Sequence, residues 1–373
     1  MAKKIGLLTA GSDCPGLNAT IRGFGKAARN THGMALIGFK DGFRGVIMDQ
    51  TIDLSGDALS NILTAGGTIL GTSRDVPHAF KEDGQVKDKT AEVVDVYRKH
   101  GLDALVCIGG RETQTAALKL KEAGLNVLTL PKSADNDVPE TDTTIGFDTA
   151  TNIASEAIDR LHSTANSNHR IIIVEIMGRE VGWLTLGAGI ASGADVILIP
   201  EIPYNIDKIS QAILDRNKAG KMFSIIAVAE GANSSELVAF FERSMKINRE
   251  RHEGQEVKSS KLRMEQIKKK YTGQTLLLAN RLEETTGIES RITILGYLLR
   301  GGAPSAKDRI LATHLGTHAA DLLEAGKFGT MVAHKNGNIV CVPLEDAAGK
   351  TKTVPLDHAW IAAARHVGVV LGD

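Results

Sequence analysis

Ile5-Gly6-Leu7-Leu8-Thr9-Ala10-Gly11-Ser12-Asp13-Cys14-Pro15-Gly16-Leu17-Asn18 is the stretch whose reading decides the fold. The short apolar run at 5–9 fits a buried strand, and a helix-like pattern begins at Leu17, after a turn punctuated by Gly11 and Gly16. The succession recurs at 104–108, with a second helix-like stretch from about Thr113. Further strands are expected at 127–130, 171–176, 196–199 and 225–229. These runs are mostly apolar rather than alternating, as in parallel strands covered on both faces. The chain of 373 residues is long enough for two lobes. The expected fold is therefore α/β, with two doubly wound, mostly parallel-sheet lobes and the active site in a cleft between them.

Composition limits the function classes. Lys plus Arg and Asp plus Glu number 44 each, so no global field draws the chain to nucleic acid or to an anionic membrane, and any anion binding has to be local. No long apolar stretch fits a signal peptide or a membrane span. Cys14, Cys107 and Cys341 are far apart and lack metal-ligand spacing, which fits reduced thiols in the cytoplasm. The charge-dense segment 234–271, with Lys268-Lys269-Lys270, is read as a solvated helix hairpin rather than a nucleic-acid or membrane patch, because the chain is neutral overall and no aromatics lie among the lysines of 258–270.

In doubly wound sheets, ligands bind at the loops leaving the C-terminal strand ends. Three such loops carry chemistry. Around Gly11 and Gly16, missing side chains allow backbone N–H groups to approach an anion, although glycine turns after strands are often only turns. Gly109-Gly110 brings a second such turn to the same edge, which suits a polyphosphate. The third loop, Pro131-Lys132-Ser133-Ala134-Asp135-Asn136-Asp137, places two carboxylates and a lysine just past a strand end. One acid can accept a hydroxyl proton while the other helps to hold Mg²⁺; the bland alternative is a solvated Asx-rich turn. Arg74, Arg170, Arg179, Arg291 and Arg300 lie near strand ends or glycine turns, where a guanidinium can fork onto phosphate. A nicotinamide-binding oxidoreductase on the same fold would need a GxGxxG turn after the first strand, and that spacing is absent.

Read together, GSDCPGLNATIR (11–22), GGTILGTSR (66–74), PKSADND (131–137), IGFDTA (145–150), EAIDRLHSTA (156–165), VEIMGREVGW (174–183), GADVILIPE (193–201) and RITILGYLLRGGAPSAKDR (291–309) resemble the 6-phosphofructokinases. The segments at 342–345 and 350–354 resemble the bacterial branch that contains both ATP- and pyrophosphate-using members. The resemblance implies Mg²⁺-dependent phosphoryl transfer to O1 of fructose 6-phosphate, in glycolysis. It implies Asp135 and Arg179 as catalytic residues, with Asp135 the base, and Asp137 on the metal side. Gly11, Arg74, Gly109, Gly110, Glu112 and Lys132 would face the donor. Ser133, Arg170, Met177, Gly178, Arg179, Glu230, Arg291, Tyr297 and Arg300 would face the sugar phosphate. In that family the arginines matching Arg170 and Arg291 reach across a subunit boundary, which implies a homo-oligomer, a dimer or a tetramer. Residues 1–146 with about 299–349 would form the donor lobe, and 147–298 with about 350–373 the sugar-phosphate lobe.

Several positions depart from the family pattern. Ser12 replaces a glycine, and Arg111 replaces an acid expected near the metal. In the family, glycine at the position of Glu112 goes with ATP; aspartate there, with a lysine matching Lys132, goes with pyrophosphate. Glu112 and Lys132 therefore leave both donors open. Ser133-Ala134 replaces Thr-Ile, keeping a hydroxyl but removing apolar bulk behind Asp135, so a looser loop is expected. Tyr297 replaces a histidine, which keeps a kinase for another sugar phosphate in view. Arg111 keeps in view a catalytically weak subunit that binds sugar phosphate or a partner chain.

Overall fold

The computed structural model describes residues 2–240, 243 and 273–373. Most of the expected hairpin at 234–271 lies outside them. The described chain divides into two compact units: Met1–Ala150 with Tyr297–Lys352, and Thr151–Gly296 with Thr353–Asp373.

The strands run β1 Lys4–Ala10, β2 Ala35–Phe39, β3 Thr51–Asp53, β4 Phe80–Glu82, β5 Gln85–Lys87, β6 Ala104–Gly109, β7 Val127–Pro131, β8 Ile171–Ile176, β9 Val196–Leu198, β10 Ser224–Ala229, β11 Ser290–Ile294, β12 Thr330–Lys335 and β13 Asn338–Pro343. In the first unit, seven strands form one sheet in the order β13-β12-β7-β6-β1-β2-β3. The pairs from β12 to β2 are parallel, and β3 and β13 close the two edges antiparallel. The chain leaves β1 towards β2 but leaves β6 towards β7, so strand order reverses between β1 and β6. That reversal splays the two following loops to opposite faces and opens a crevice at the C-terminal strand ends. Apolar side chains of β1, β6 and β7 are buried on both faces, which is why the sequence shows continuous apolar runs there.

The second unit holds the parallel sheet β11-β8-β10-β9. Here the chain leaves β8 towards β9 and leaves β10 towards β11, so the reversal lies between β8 and β10. One core cluster joins Ile171, Ile173, Ile226 and Val228 of this sheet to Ile209 and Ile213 on the helix Ile206–Lys218 and to Leu278 and Leu282 on the helix Gln274–Thr286. Among the described residues, no helix is long and apolar enough to cross a membrane.

In the first unit the helices Leu17–Asn30 and Ala306–Glu324 approach backbone to backbone. A Cβ at Gly316 would lie 2.5 Å from the Phe24 amide nitrogen. Gly316→Ala must therefore push the helices apart, and overpacking of this kind costs about 1–3 kcal/mol. A thermal melt should show a lower midpoint for the variant.

Candidate active site

Three loops meet at the crevice of the first unit, where Gly11, Arg74, Gly110, Glu112, Lys132, Ser133, Asp135, Asp137 and Arg300 line one pocket, together with Ser12, Asp13, Asp75 and Arg111. The acidic loop is shaped by Asn136, which takes φ 54°, a left-handed conformation that asparagine tolerates because its short amide bonds locally. The Asn136 side chain donates to the Asp142 carbonyl at 3.2 Å and accepts from the Thr144 amide at 3.1 Å. Thr144 Oγ1 donates to the Ser133 carbonyl at 2.6 Å, and the Ser133 hydroxyl accepts from the Asp135 amide at 3.2 Å. Ala134 itself is buried, and these polar bonds tie the loop at Ser133, Asn136 and Thr144.

Both oxygens of Asp137 have partners: Oδ1 accepts from Ser133 Oγ at 2.5 Å, and Oδ2 accepts from Arg111 Nε at 2.6 Å. Arg111 also donates to Thr351 Oγ1. Among the described residues, no group of three or more His, Cys, Asp or Glu side chains could hold a metal ion. Mg²⁺ in phosphoryl-transfer sites needs only one or two carboxylates beside phosphate oxygens and water. A carboxylate has about four lone-pair positions, so Asp137 retains capacity with these two partners in place. The site thus fits a phosphate-borne Mg²⁺ and not a protein-caged one.

Lys132 is 4% exposed and donates through Nζ to the Ser12 carbonyl. Burial pushes its pKa down, against the pull of Cys14, Asp137 and Asp13. Ser12 Oγ in turn accepts from Arg74 Nη2 at 3.2 Å, so one residue bridges two cations of the pocket. The Gly11 amide is engaged by the Ser73 carbonyl at 2.8 Å, so Gly11 offers the site its missing side chain and its φ of 84° rather than a free N–H. Gly109 ends β6, and its carbonyl accepts from the Lys132 amide at 3.1 Å. Glu112 stands in the first turn of the helix Arg111–Glu122. Arg300 lines this pocket and stacks over the Tyr297 ring at 5.1 Å, while Tyr297 is largely exposed.

The remaining sequence-predicted residues belong to the second unit. Met177, Gly178 and Arg179 follow β8, and Glu230 follows β10, at the reversal point of that sheet. Arg179 Nε donates to Glu230 Oε1 at 3.1 Å. A Cβ at Gly231 would lie 2.0 Å from the Arg179 carbonyl oxygen, so that close approach requires glycine. Arg170 and Arg291 instead sit at the N-terminal ends of β8 and β11, and both bond Glu289, Arg170 through Nε at 2.5 Å. β8 spans about 20 Å at about 3.3 Å per residue, so Arg170 and Arg179 lie at opposite ends of one strand.

A family model for phosphofructokinase matches residues 4–323. The chain belongs to the phosphofructokinase family. It is 52% identical over its whole length, and over all of the relative, to an ATP-dependent 6-phosphofructokinase of Propionibacterium freudenreichii subsp. shermanii. A pyrophosphate–fructose 6-phosphate 1-phosphotransferase of Amycolatopsis methanolica is 42% identical, with 94% of this chain and 96% of the relative aligned. Among solved structures, phosphofructokinase of Pichia pastoris in the T-state aligns with a TM-score of 0.76 at 29% identity, over 93% of this chain but only 35% of that longer one. A pyrophosphate-dependent phosphofructokinase of Marinobacter aquaeolei aligns with a TM-score of 0.77 at 21% identity, over all of this chain and 92% of that one, a likeness of fold. These matches agree with the family and the mixed ATP and pyrophosphate branch read from the sequence.

No local sequence signal marks Ser12 as the bridge between Arg74 and Lys132, or the grip of Arg111 on Asp137. Arg111 and Asp137 are 26 residues apart, and no periodicity encodes their meeting. Asp13 carried a usable signal, since it is the acid inside the first glycine turn.

Proposed function

We propose that this chain is a cytoplasmic, Mg²⁺-dependent 6-phosphofructokinase that transfers a phosphoryl group from ATP or pyrophosphate to O1 of fructose 6-phosphate, giving fructose 1,6-bisphosphate. The observation that carries this reading is the convergence of Asp135 and Asp137 with Lys132, Arg74 and Arg300 on one pocket at a strand-order reversal. Asp135 accepts the O1 proton as that oxygen attacks. Phosphoryl transfer leaves the protein little covalent work, so most of the rate comes from positioning and neutralised charge. Arg74 and Lys132 supply fixed positive charge around the donor and Arg300 supplies it towards the sugar phosphate, with Gly109 and Gly110 keeping the donor-side turn free of side chains. Asp137 would hold Mg²⁺ together with donor oxygens, where the ion spreads the negative charge of the phosphates. Ser133 and Tyr297 would border the sugar. In the second unit, Arg179 is held by Glu230 in position to receive the sugar phosphate, with Met177 and Gly178 beside the sugar hydroxyls. Because Arg170 and Arg291 lie at the far strand ends, they serve a neighbouring copy, and the enzyme is a homo-oligomer.

A steady-state assay with fructose 6-phosphate and Mg²⁺, run in parallel with ATP and with pyrophosphate, tests the reading. Turnover with one donor alone assigns that donor, and turnover with neither leaves the catalytically weak subunit or a kinase for another sugar phosphate. Glu112 decides part of this choice, since a carboxylate at the pocket repels the α-phosphate that ATP has and pyrophosphate lacks. Glu112→Gly should raise kcat/KM for ATP relative to pyrophosphate by about tenfold, the scale of one removed like-charge contact at a partly exposed site. An unchanged ratio would take Glu112 out of donor choice.

A further inference from the structure

The segment 351–354 is where the chain passes for the last time from the first unit into the second, between Lys352 and Thr353. On the first-unit side, Thr351 Oγ1 accepts from the Arg111 guanidinium, the same group that holds Asp137. The Lys352 amide donates to the Asp137 carbonyl at 2.9 Å. Lys352 Nζ donates to the carbonyls of Thr141 and Asp142 at 2.7 and 2.8 Å. Asp142 is also the residue whose carbonyl receives Asn136, the left-handed pivot between the two acids. On the second-unit side, the Val354 amide donates to Glu201 Oε1 at 2.9 Å, and the same oxygen accepts from the Gly182 amide at 3.0 Å. Gly182 closes the loop that carries Gly178 and Arg179.

We infer that 351–354 is a positioning strap, with Lys352 fixing the acidic loop and Glu201 fixing the arginine loop, each within its own unit. Neither side chain touches the reacting atoms in this scheme. Lys352 ties down the backbone from which Asp135 and Asp137 project, so its loss acts on the chemical step. Glu201 is the shared acceptor for two amides that are otherwise left without it, so its loss acts on sugar-phosphate binding. The kinetic consequences rest on the function proposed above, whereas the two hydrogen-bonded ends stand on geometry alone.

The test separates these. Amide hydrogen exchange on the ligand-free protein should speed up at 135–137 and Lys352 in Lys352→Met, and at Gly182 and Val354 in Glu201→Ala, each without the other. In steady state, Lys352→Met should lower kcat about tenfold with little change in KM for fructose 6-phosphate, and Glu201→Ala should raise that KM about tenfold with kcat largely kept, the scale of one or two part-buried bonds lost. Lys352→Arg and Glu201→Gln, which retain a donor and an acceptor, should restore most of each loss, and they carry the test if the first pair folds poorly. Exchange unchanged in both variants, or kcat and KM moving together in both, overturns the strap. A wild-type protein with no turnover on either donor overturns the proposed function while the exchange result still decides the strap.

Discussion

Asp135→Asn should lower kcat by about 10² to 10⁴, the usual worth of a positioned general base, while binding of fructose 6-phosphate stays within about twofold. The two side chains are nearly isosteric, and the Asp135 backbone amide, not its side chain, donates to Ser133 Oγ, so the substitution leaves that bond intact. The amide side chain cannot accept the O1 proton, and attack would depend on water. Asp137 does not take over in this scheme, because its carboxylate accepts from Ser133 and Arg111 and its remaining lone pairs are proposed for the metal side. Burst kinetics and direct titration with the sugar phosphate distinguish lost chemistry from lost binding. Near-normal turnover in this variant would remove Asp135 from the role of base and with it the central step of the mechanism.

The legible part of this molecule is the part in which one segment carries its own signal. β1, β6, β7, β8 and β10 show as apolar runs because both faces are covered, and each loop after β1, β6 and β7 carries its glycines or acids in continuous sequence. Short, polar or interrupted strands do not read this way. β3 is three residues, Thr51–Asp53, with exposed polar ends, and β2 and β11 are interrupted by glycine or by arginine and threonine. The β12–β13 hairpin was legible in principle, since Asn336-Gly337 takes φ 51° and 78°, the two-residue turn that this dipeptide favours. In the site, Asp135, Asp137 and Lys132 were readable as types at a strand end. Which acid faces which cation was not, because Arg111, Thr351 and Lys352 reach the loop from distant sequence.

The arginines at the N-terminal ends of β8 and β11 give the strongest test of assembly. Arg170→Ala should lower kcat/KM for fructose 6-phosphate by about 10²-fold, the lower range of about 2–5 kcal/mol for losing one member of a hydrogen-bonded charge pair. If Arg170 serves the neighbouring copy, each site combines Asp135 of one subunit with Arg170 of the other. A hybrid of an Asp135→Asn subunit and an Arg170→Ala subunit then contains one site with both residues intact and one with neither. Random pairing makes half of the dimers hybrid, so a coexpressed, differently tagged mixture should recover ~25% of wild-type activity although both parents are nearly inactive. Arg170→Ala mixed with Arg291→Ala recovers nothing under the same scheme, because both arginines of a site come from one neighbour. If the arginines served their own subunit, the first mixture would stay as inactive as its parents and the second would be unchanged. Only recovery in the first pairing and none in the second is compatible with an arginine set divided between the ends of a strand about 20 Å long.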